Sequence, residues 1–429
     1  MSKYYSFGAY PIPSNQCIIN ADSKNIKFND NKYYLPRGLS KSYGDSCLNS
    51  DNILIDCSTI NKFISFDNNT AVVKAQAGVT LQEIIDVFLP QKYFLPITPG
   101  TKYITLGGAI ANDVHGKNHH KYGTFGNYVI SFDLLRSDGN IYHCSQNENV
   151  EMFKATIGGL GLTGLILSAE IQLIKVNGPL IDCENIKFYS FEEFFAINNE
   201  SLNYDYTVSW VSTNKLGYGI FSRGNFADEQ NQIEYVANEK QAINFPFEYS
   251  FINNLSTKVF NFLYFNKQIG KQRRSIIDYN TFFYPLDKIN NWNRAYGKDG
   301  FLQYQFVIPN SNAIDNLKKI FKMIADSGYP SFLTVLKSFG NISSPGLMSF
   351  PMEGITLAID FKMHGVKLFE LLKRCDEIVF GAGGRIYPAK DARMKSSDFI
   401  KSYPNIQEFT KYIDPKFSSQ FWRRVYTID

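Results

Sequence analysis

The sequence predicts an α+β protein of two domains, a strand-rich part with glycine loops followed by an antiparallel sheet covered by helices. Three observations carry that prediction. The chain has 429 residues, more than the roughly 250–300 over which a single core stays continuous. From Lys24 to about Val176 short apolar runs alternate with turns, whereas after Val176 longer strands and amphipathic helices take over. Hydrophobic residues make up 44% and aromatic residues 15%, enough apolar surface to fill both cores and to exclude a disordered chain.

In the first part "NILIDCS", "AVVKAQAG", "VISFDLLRSDGNIYHC" and "GLILSAEIQLIKV" read as strands, with "SDGN" the turn of a hairpin. "TLQEIIDVFLPQ" reads as a helix, since Thr80 stands where a cap belongs, the apolar residues recur at helical spacing, and Pro90 ends it. "NENVEMFKATIGGLGLTG" reads as a short helix running into a glycine-rich loop at 158–164. In the second part the strands "YDYTVSWVSTN", "GFLQYQFVIP" and "GITLAIDFKM" alternate with the helices "NLKKIFKMIADSG" and "KLFELLKRCDEIVFGAGG". That order predicts an antiparallel sheet with helices on one face. Gln303 and Gln305 alternate on one of these strands and point to one side.

A net charge of +4 is too small for a nucleic-acid partner. The six cysteines lack paired spacing, which points to reduced thiols in a reducing compartment. "MSKYYSFGAYPIPSNQ" has no apolar h-region, and no window offers about 18 consecutive apolar residues. A soluble, cytoplasmic protein is expected.

Three of the five histidines, His115, His119 and His120, fall within "GGAIANDVHGKNHHKYGTFGN". A metal site is one reading, because imidazole is a common ligand and Asp113 is near. Gly116, Asn118, Gly123 and Gly126 make the segment a loop, however, so His115 and His119 do not share a helix face, and no HExxH or CxxC accompanies them. No metal is expected. The small residues upstream, Pro99–Thr101, Gly107, Gly108, Ala109 and Ala111, let backbone N–H groups approach an anion closely. A cofactor bearing phosphate fits better.

The stretch Phe245–Arg274 joins phenylalanines to Lys267, Lys271, Arg273 and Arg274. One reading is a core helix with a solvated basic end. The other is a mobile apolar flap beside an anionic membrane surface.

"PRGLSKSYGDS" (Pro36–Ser46), "TPGTKYITLGGAIANDVHGKNHH" (Thr98–His120) and "IGGLGLTGLI" (Ile157–Ile166) together resemble the FAD-binding domain of the vanillyl-alcohol-oxidase-like flavoenzymes. Within that group the likeness is to the decaprenylphosphoryl-ribose oxidase branch. It continues through "YPLDKINNWNRAYGKDGFLQYQFVIP", "VLKSFG", "MSFPMEGITLAIDF" and "GGRIYPAKDARM", in the family's order.

The resemblance implies a two-domain FAD-binding flavoenzyme, with residues 1–176 holding the cofactor, 177–384 the substrate, and 385–429 returning to the cofactor domain. FAD would lie against Arg37, Gly38, Ser42, Tyr43, Gly44 and Asp45, then Pro99, Gly100, Thr101, Thr105, Gly107, Gly108 and Ala111. His115, Gly116 and Asn118 would follow, with Gly159, Gly161 and Gly164 near the adenosine. Some relatives attach FAD to a histidine in the first loop; Lys41-Ser42-Tyr43 has none, which implies non-covalent FAD. Lys390 and Lys117 would be the catalytic cations, Lys390 the principal one, although a solvated lysine beside Asp391 is the plainer reading of that position. Gln303, Gln305, Lys337, Tyr43, Tyr284, His115 and Ala358 would line the substrate pocket, with Tyr43 either packing on the flavin or filling core. Ala358 replaces a pocket cysteine of the family, so a thiol-dependent covalent inhibitor has nothing to react with.

The implied activity is oxidation of a secondary sugar hydroxyl to a ketone on a polyprenyl-phosphate-linked pentose. It would be the first half of an epimerisation completed by a separate NAD(P)H-dependent reductase, carried out in the cytoplasm with peripheral contact at the inner face of the membrane. A soluble sugar-alcohol or aldonolactone oxidase of the same fold is the alternative, and a non-catalytic flavin- or glycan-binding accessory protein a third. Lys117, Lys390 and Gln305 argue against the third, and the missing histidine against the second.

Overall fold

The computed structural model describes residues 4–22, 26–29, 31–232, 243–244, 250 and 252–426. A five-stranded antiparallel sheet runs in the order Phe63–Asp67, Val72–Gln76, Leu165–Gln172, Val129–Leu135, Ile141–Ser145. Its last two strands are the hairpin that "SDGN" predicts: Leu135 pairs with Ile141, and the Arg136 amide donates to the Asn140 carbonyl at 3.1 Å. "NILIDCS" behaves differently from its neighbours. Ile53–Asp56 pairs in parallel with both Cys17–Asn20 and Tyr34–Arg37, forming a separate three-stranded sheet.

Helix Leu81–Phe88 starts at Thr80, whose hydroxyl accepts from the Glu83 amide while the Glu83 carboxylate accepts from the Thr80 amide. That reciprocal cap satisfies two orphan donors. Leu81, Ile84, Ile85 and Phe88 then bury one stripe. Pro90 does not stop the chain outright; it enters a 3₁₀ turn, Leu89–Gln91, where a missing N–H costs nothing.

The second part builds an eight-stranded antiparallel sheet. Its order is Gln272–Asp278, Leu180–Phe188, Gly219–Phe226, Tyr206–Val211, Thr334–Phe339, Gly354–Lys362, Phe301–Ile308, Arg385–Ile386. Alternate residues divide between two faces. Leu302, Tyr304, Phe306 and Ile308, with Leu336, Leu357 and Ile359, pack under helices Ala313–Ser327 and Val366–Gly381. Helix Phe191–Glu200 covers the same face further along through Phe191, Phe194 and Ile197. Gln303, Gln305, Lys337, Thr356, Ala358 and Asp360 therefore fall on the other face.

The last residues leave this sheet for the beginning of the chain. Arg385 and Ile386 pair with Val307 and Phe306 at its edge. The Tyr34 amide then donates to Lys416 O at 2.7 Å, and the Ser418 amide to Tyr34 O at 3.0 Å. Arg424 closes the connection, reaching Asp45 and Asp391 at 2.8 Å each.

The Phe-rich stretch is corrected in part. Residues 245–249 and 251 lie outside the described residues, but Asn254–Asn266 is a helix whose apolar residues are largely exposed, so it is not a core helix. No helix among the described residues is long and apolar enough to cross a membrane.

Candidate active site

The first-part loops and the uncovered face of the large sheet enclose a cavity of about 610 Å³. Its loop side requires close backbone approach. A Cβ on Gly38 would sit 2.3 Å from Thr105 Oγ1, and that hydroxyl is engaged in accepting from the Gly108 amide to start the helix Leu106–Ala111. Gly161 has φ +76°, a left-handed conformation that favours glycine.

This side is rich in uncommitted donors. Arg37 Nε and Ser46 Oγ are buried without a partner among the described residues, and the amides of Leu39 through Ser42 have no protein acceptor there. Unmet buried donors are costly unless an acceptor joins them. A pyrophosphate supplies several acceptor oxygens, so the loop side fits FAD: Arg37, Ser42, Thr101 and the amides around them would hold the phosphates.

The sheet side is set by register. Gln305 pairs with Ala358 and Gln303 with Asp360, while Val335 pairs with Ala358 and Lys337 with Thr356. Lys337 Nζ lies 3.3 Å from both His115 Nδ1 and Gly116 O, and the Gln305 amide lies 3.1 Å from His115 Nε2. Gln305 Nε2 donating to His115 Nε2 needs the imidazole hydrogen on Nδ1, whereas Lys337 donating to Nδ1 needs it on Nε2, so the two contacts compete for the tautomer of His115. Lys117 Nζ donates to Phe283 O at 3.0 Å. Lys390 Nζ stands 3.6 Å over the centre of the Tyr43 ring.

Burial dominates the electrostatics. It pushes Lys390 down to about 7, with Asp360 opposing the shift, and Lys337 down to about 7, where Lys117 and Lys390 add to it. Lys117 falls to about 8 for the same reason. His115 is held well below its ordinary range by burial and then by the Lys337 charge, so it stays neutral. Burial raises the Asp360 carboxyl to about 7 against the Gln303 hydrogen bond and the charge of Lys390. Burial makes the charged form of these lysines unfavourable, so an anion beside them both gains from them and restores their protons.

Most of the predicted residues line this one cavity: Arg37, Gly38, Ser42, Tyr43, Pro99, Gly100, Thr101, Thr105, Gly107, Gly108, Ala111, His115, Gly116, Lys117, Gly161, Gly164, Gln303, Gln305, Lys337, Ala358 and Lys390. Five do not. Tyr284 is fully buried behind the wall, its hydroxyl 2.6 Å from Thr98 Oγ1. Gly44 faces the tail, where a Cβ would meet the Asp391 carbonyl, and Asp45 is committed to Arg424. Asn118 turns inward to donate to Pro96 O at 2.8 Å. Gly159 packs on the Ala155 carbonyl in the turn after helix Val150–Thr156.

Of the three loop histidines only His115 reaches the cavity. His119 packs on Phe339, and His120 Nε2 lies 2.9 Å from Tyr204 O. Asp113 accepts from the Gly126 amide and from Ser344 and Ser349, fixing the loop. Among the described residues no group of three or more His, Cys, Asp or Glu is placed to hold a metal. Sequence reasoning missed Asp360, which accepts from Gln303 Nε2 at 2.6 Å and from Tyr296 OH at 3.1 Å. Its position two residues past Ala358 on a strand was the available signal.

A donor-lined glycine cradle beside buried lysines defines a flavin oxidoreductase, and comparison with known proteins agrees. Residues 27–145 match the FAD binding domain family. The chain is 34% identical to decaprenylphosphoryl-β-D-ribose oxidase of Mycolicibacterium smegmatis over 411 residues, covering 91% of this chain and 88% of that protein. An uncharacterized protein of Streptomyces coelicolor is 26% identical over 81% of this chain and all of its own length. Human Δ(24)-sterol reductase is 28% identical over 123 residues, 29% of this chain and 23% of that protein. The protein is an FAD-dependent oxidoreductase. It belongs to the family of decaprenylphosphoryl-β-D-ribose oxidase.

Proposed function

We propose that the protein oxidises a secondary hydroxyl of a polyprenyl-phosphate-linked pentose to the ketone. A separate NAD(P)H-dependent reductase would complete the epimerisation. The observation that carries this reading is the convergence of Lys117, Lys337 and Lys390 with Gln303 and Gln305 on one cavity beside the cofactor cradle. Bound FAD supplies the hydride acceptor.

The chain's own residues bind, orient and balance charge. Gln303 and Gln305 offer amides to sugar hydroxyls, with Gln303 held by Asp360 and Gln305 by His115. Lys390 keeps a cation where negative charge develops as the hydroxyl gives its proton to solvent, and Tyr43 supports that cation through its ring face. Lys337 orients His115, and Lys117 adds positive charge across the cavity. Lys41-Ser42-Tyr43 offers no histidine for attachment, which supports dissociable FAD.

We assign cofactor holding to residues 1–176 together with the tail 385–429, and substrate holding to 177–384. The tail's hydrogen bonds to Tyr34 and its ion pair to Asp45 support that division. On this reading the protein works in the cytoplasm, peripherally at the inner face of the membrane.

The test is anaerobic reduction of the enzyme-bound flavin, followed by visible absorbance, on adding a polyprenyl-phosphoribose or a free pentose or sugar alcohol. Bleaching by the lipid-linked sugar alone is the expected result. Equal or faster bleaching by a free sugar alcohol gives the soluble sugar-alcohol oxidase, and no bleaching by any leaves a binding protein.

A further inference from the structure

Helix Asn254–Asn266 turns an apolar stripe to the outside. Leu255, Val259, Phe262 and Leu263, spaced i, i+4, i+7 and i+8, form one stripe and are 73%, 49%, 64% and 60% exposed. The side facing the protein carries Thr257 and Asn261, only 2% and 3% exposed, together with Tyr264 against Trp210 and Phe265 against Tyr189 and Tyr218. Asn261 Nδ2 donates to Asn214 Oδ1 at 2.5 Å, and just beyond the helix Gln268 Nε2 donates to the carbonyls of Asn185 and Lys271 at 3.1 Å. A helix on a water-facing surface has the opposite arrangement. An apolar stripe of this kind turned outward fits an apolar partner.

Charge says which partner. Residues 250–277 hold five lysines and arginines and no carboxylate, more positive charge than the +4 net of the whole chain. Lys271 is paired with Glu193 and Arg274 with Asp182. Lys258, Lys267 and Arg273 have no carboxylate in ion-pair distance among the described residues. An apolar stripe rimmed by cations matches the hydrocarbon and the headgroups of an anionic bilayer.

The same element reaches the cavity. Tyr264, Lys267 and Gln268 line it together with Val208, Ile220 and Ile277 of the sheet, so this helix and the residues just after it form part of the wall of the space that holds the lysines. We propose that helix Asn254–Asn266 docks on an anionic bilayer and that the part of the cavity it walls passes the hydrocarbon of a lipid-borne substrate toward Lys117. The docking stands on the helix and its charge; the passage of hydrocarbon rests on the lipid-linked reading above.

The test uses the FAD-loaded full chain in co-sedimentation with vesicles of phosphatidylcholine, with and without phosphatidylglycerol. The parent binds the anionic vesicles more tightly than the neutral ones. Phe262→Ser with Leu263→Ser weakens binding by about ten-fold or more. Lys258→Gln with Arg273→Gln weakens it about five-fold per cation removed. Flavin absorbance and flavin bleaching by a short-chain substrate stay at parental levels in both, which separates lost docking from lost folding. A parent that ignores vesicles, or serine variants that bind as the parent does, overturns the docking. So does a parent dimer that Phe262→Ser dissociates, which assigns the stripe to a second copy. If vesicles bind but a lipid-linked pentose in detergent never bleaches the flavin, the substrate reading fails and the docking stands.

Discussion

The two sides of the cavity are made in different ways. The cradle side comes from loops contiguous in sequence, 37–42, 99–108 and 160–166, that present backbone amides and hydroxyls. The sheet side comes from single side chains on strands and a tail far apart in sequence, Gln303, Lys337, Ala358 and Lys390, brought together by register. The contrast separates two tasks. Backbone groups recognise a cofactor of fixed shape, whereas side chains with shifted pKa values handle a proton. Damage to one side should therefore leave the other working.

Lys390→Ala gives the largest effect. Turnover falls about 10²–10³-fold, as for loss of one electrostatic contact in a transition state, while flavin content by absorbance stays at parental levels. Loss of both would join the two sides. Arg424→Met comes next, because it leaves Asp45 and Asp391 buried without their cation. Breaking such a pair costs about 3 kcal/mol, the lower end of the usual range because the guanidinium is partly exposed. Thermal denaturation should show the loss, together with weaker FAD retention.

Gly38→Ala should weaken FAD binding about ten-fold by pressing on Thr105 Oγ1, a displacement costing on the order of 1–2 kcal/mol, with turnover of the loaded enzyme retained. Titration of apoprotein with FAD measures it. The pH dependence sharpens the sheet side. A lysine needed as a cation is charged below its pKa, so kcat/KM should fall as pH rises past about 7 or above, depending on how far bound anions restore the Lys390 proton. Lys390→Arg should move that fall beyond the accessible range, because guanidinium keeps its charge. A rate that instead rises through the same range makes Lys390 a base. The smallest effect on rate is expected from Ala358→Cys, within about two-fold, and intact mass should then reveal an adduct with a thiol-reactive pocket inhibitor that the parent lacks.

Legibility followed the same division. The glycine loops were readable because close backbone approach demands glycine at particular positions, as Gly38 against Thr105 and Gly161 at positive φ show. Gly44 and Gly159 carried the same letter for another reason, tight packing on Asp391 and Ala155, and only coordinates distinguish the two. On the sheet, period-two alternation put Gln303 and Gln305 together correctly but gave no pairing register, so Asp360 opposite Gln303 stayed hidden. Tyr284 was misplaced because an aromatic with a hydroxyl looks alike in a wall and behind it; its bond to Thr98 put it behind. For helix Asn254–Asn266 the sequence left a core helix and an apolar flap both open, because its apolar spacing shows a stripe without showing which way the stripe faces.

The join between the tail and the first loop bears on the order of events during synthesis. Tyr34 and Asp45 emerge from the ribosome long before their partners Lys416, Ser418 and Arg424. A growing chain can form its hairpin and its large sheet beforehand, but the loop next to the cradle lacks its brace until residues 416–424 have emerged. Cofactor loading should then wait for that segment, and a nascent chain stalled before residue 416 should leave the ribosome's exit colourless.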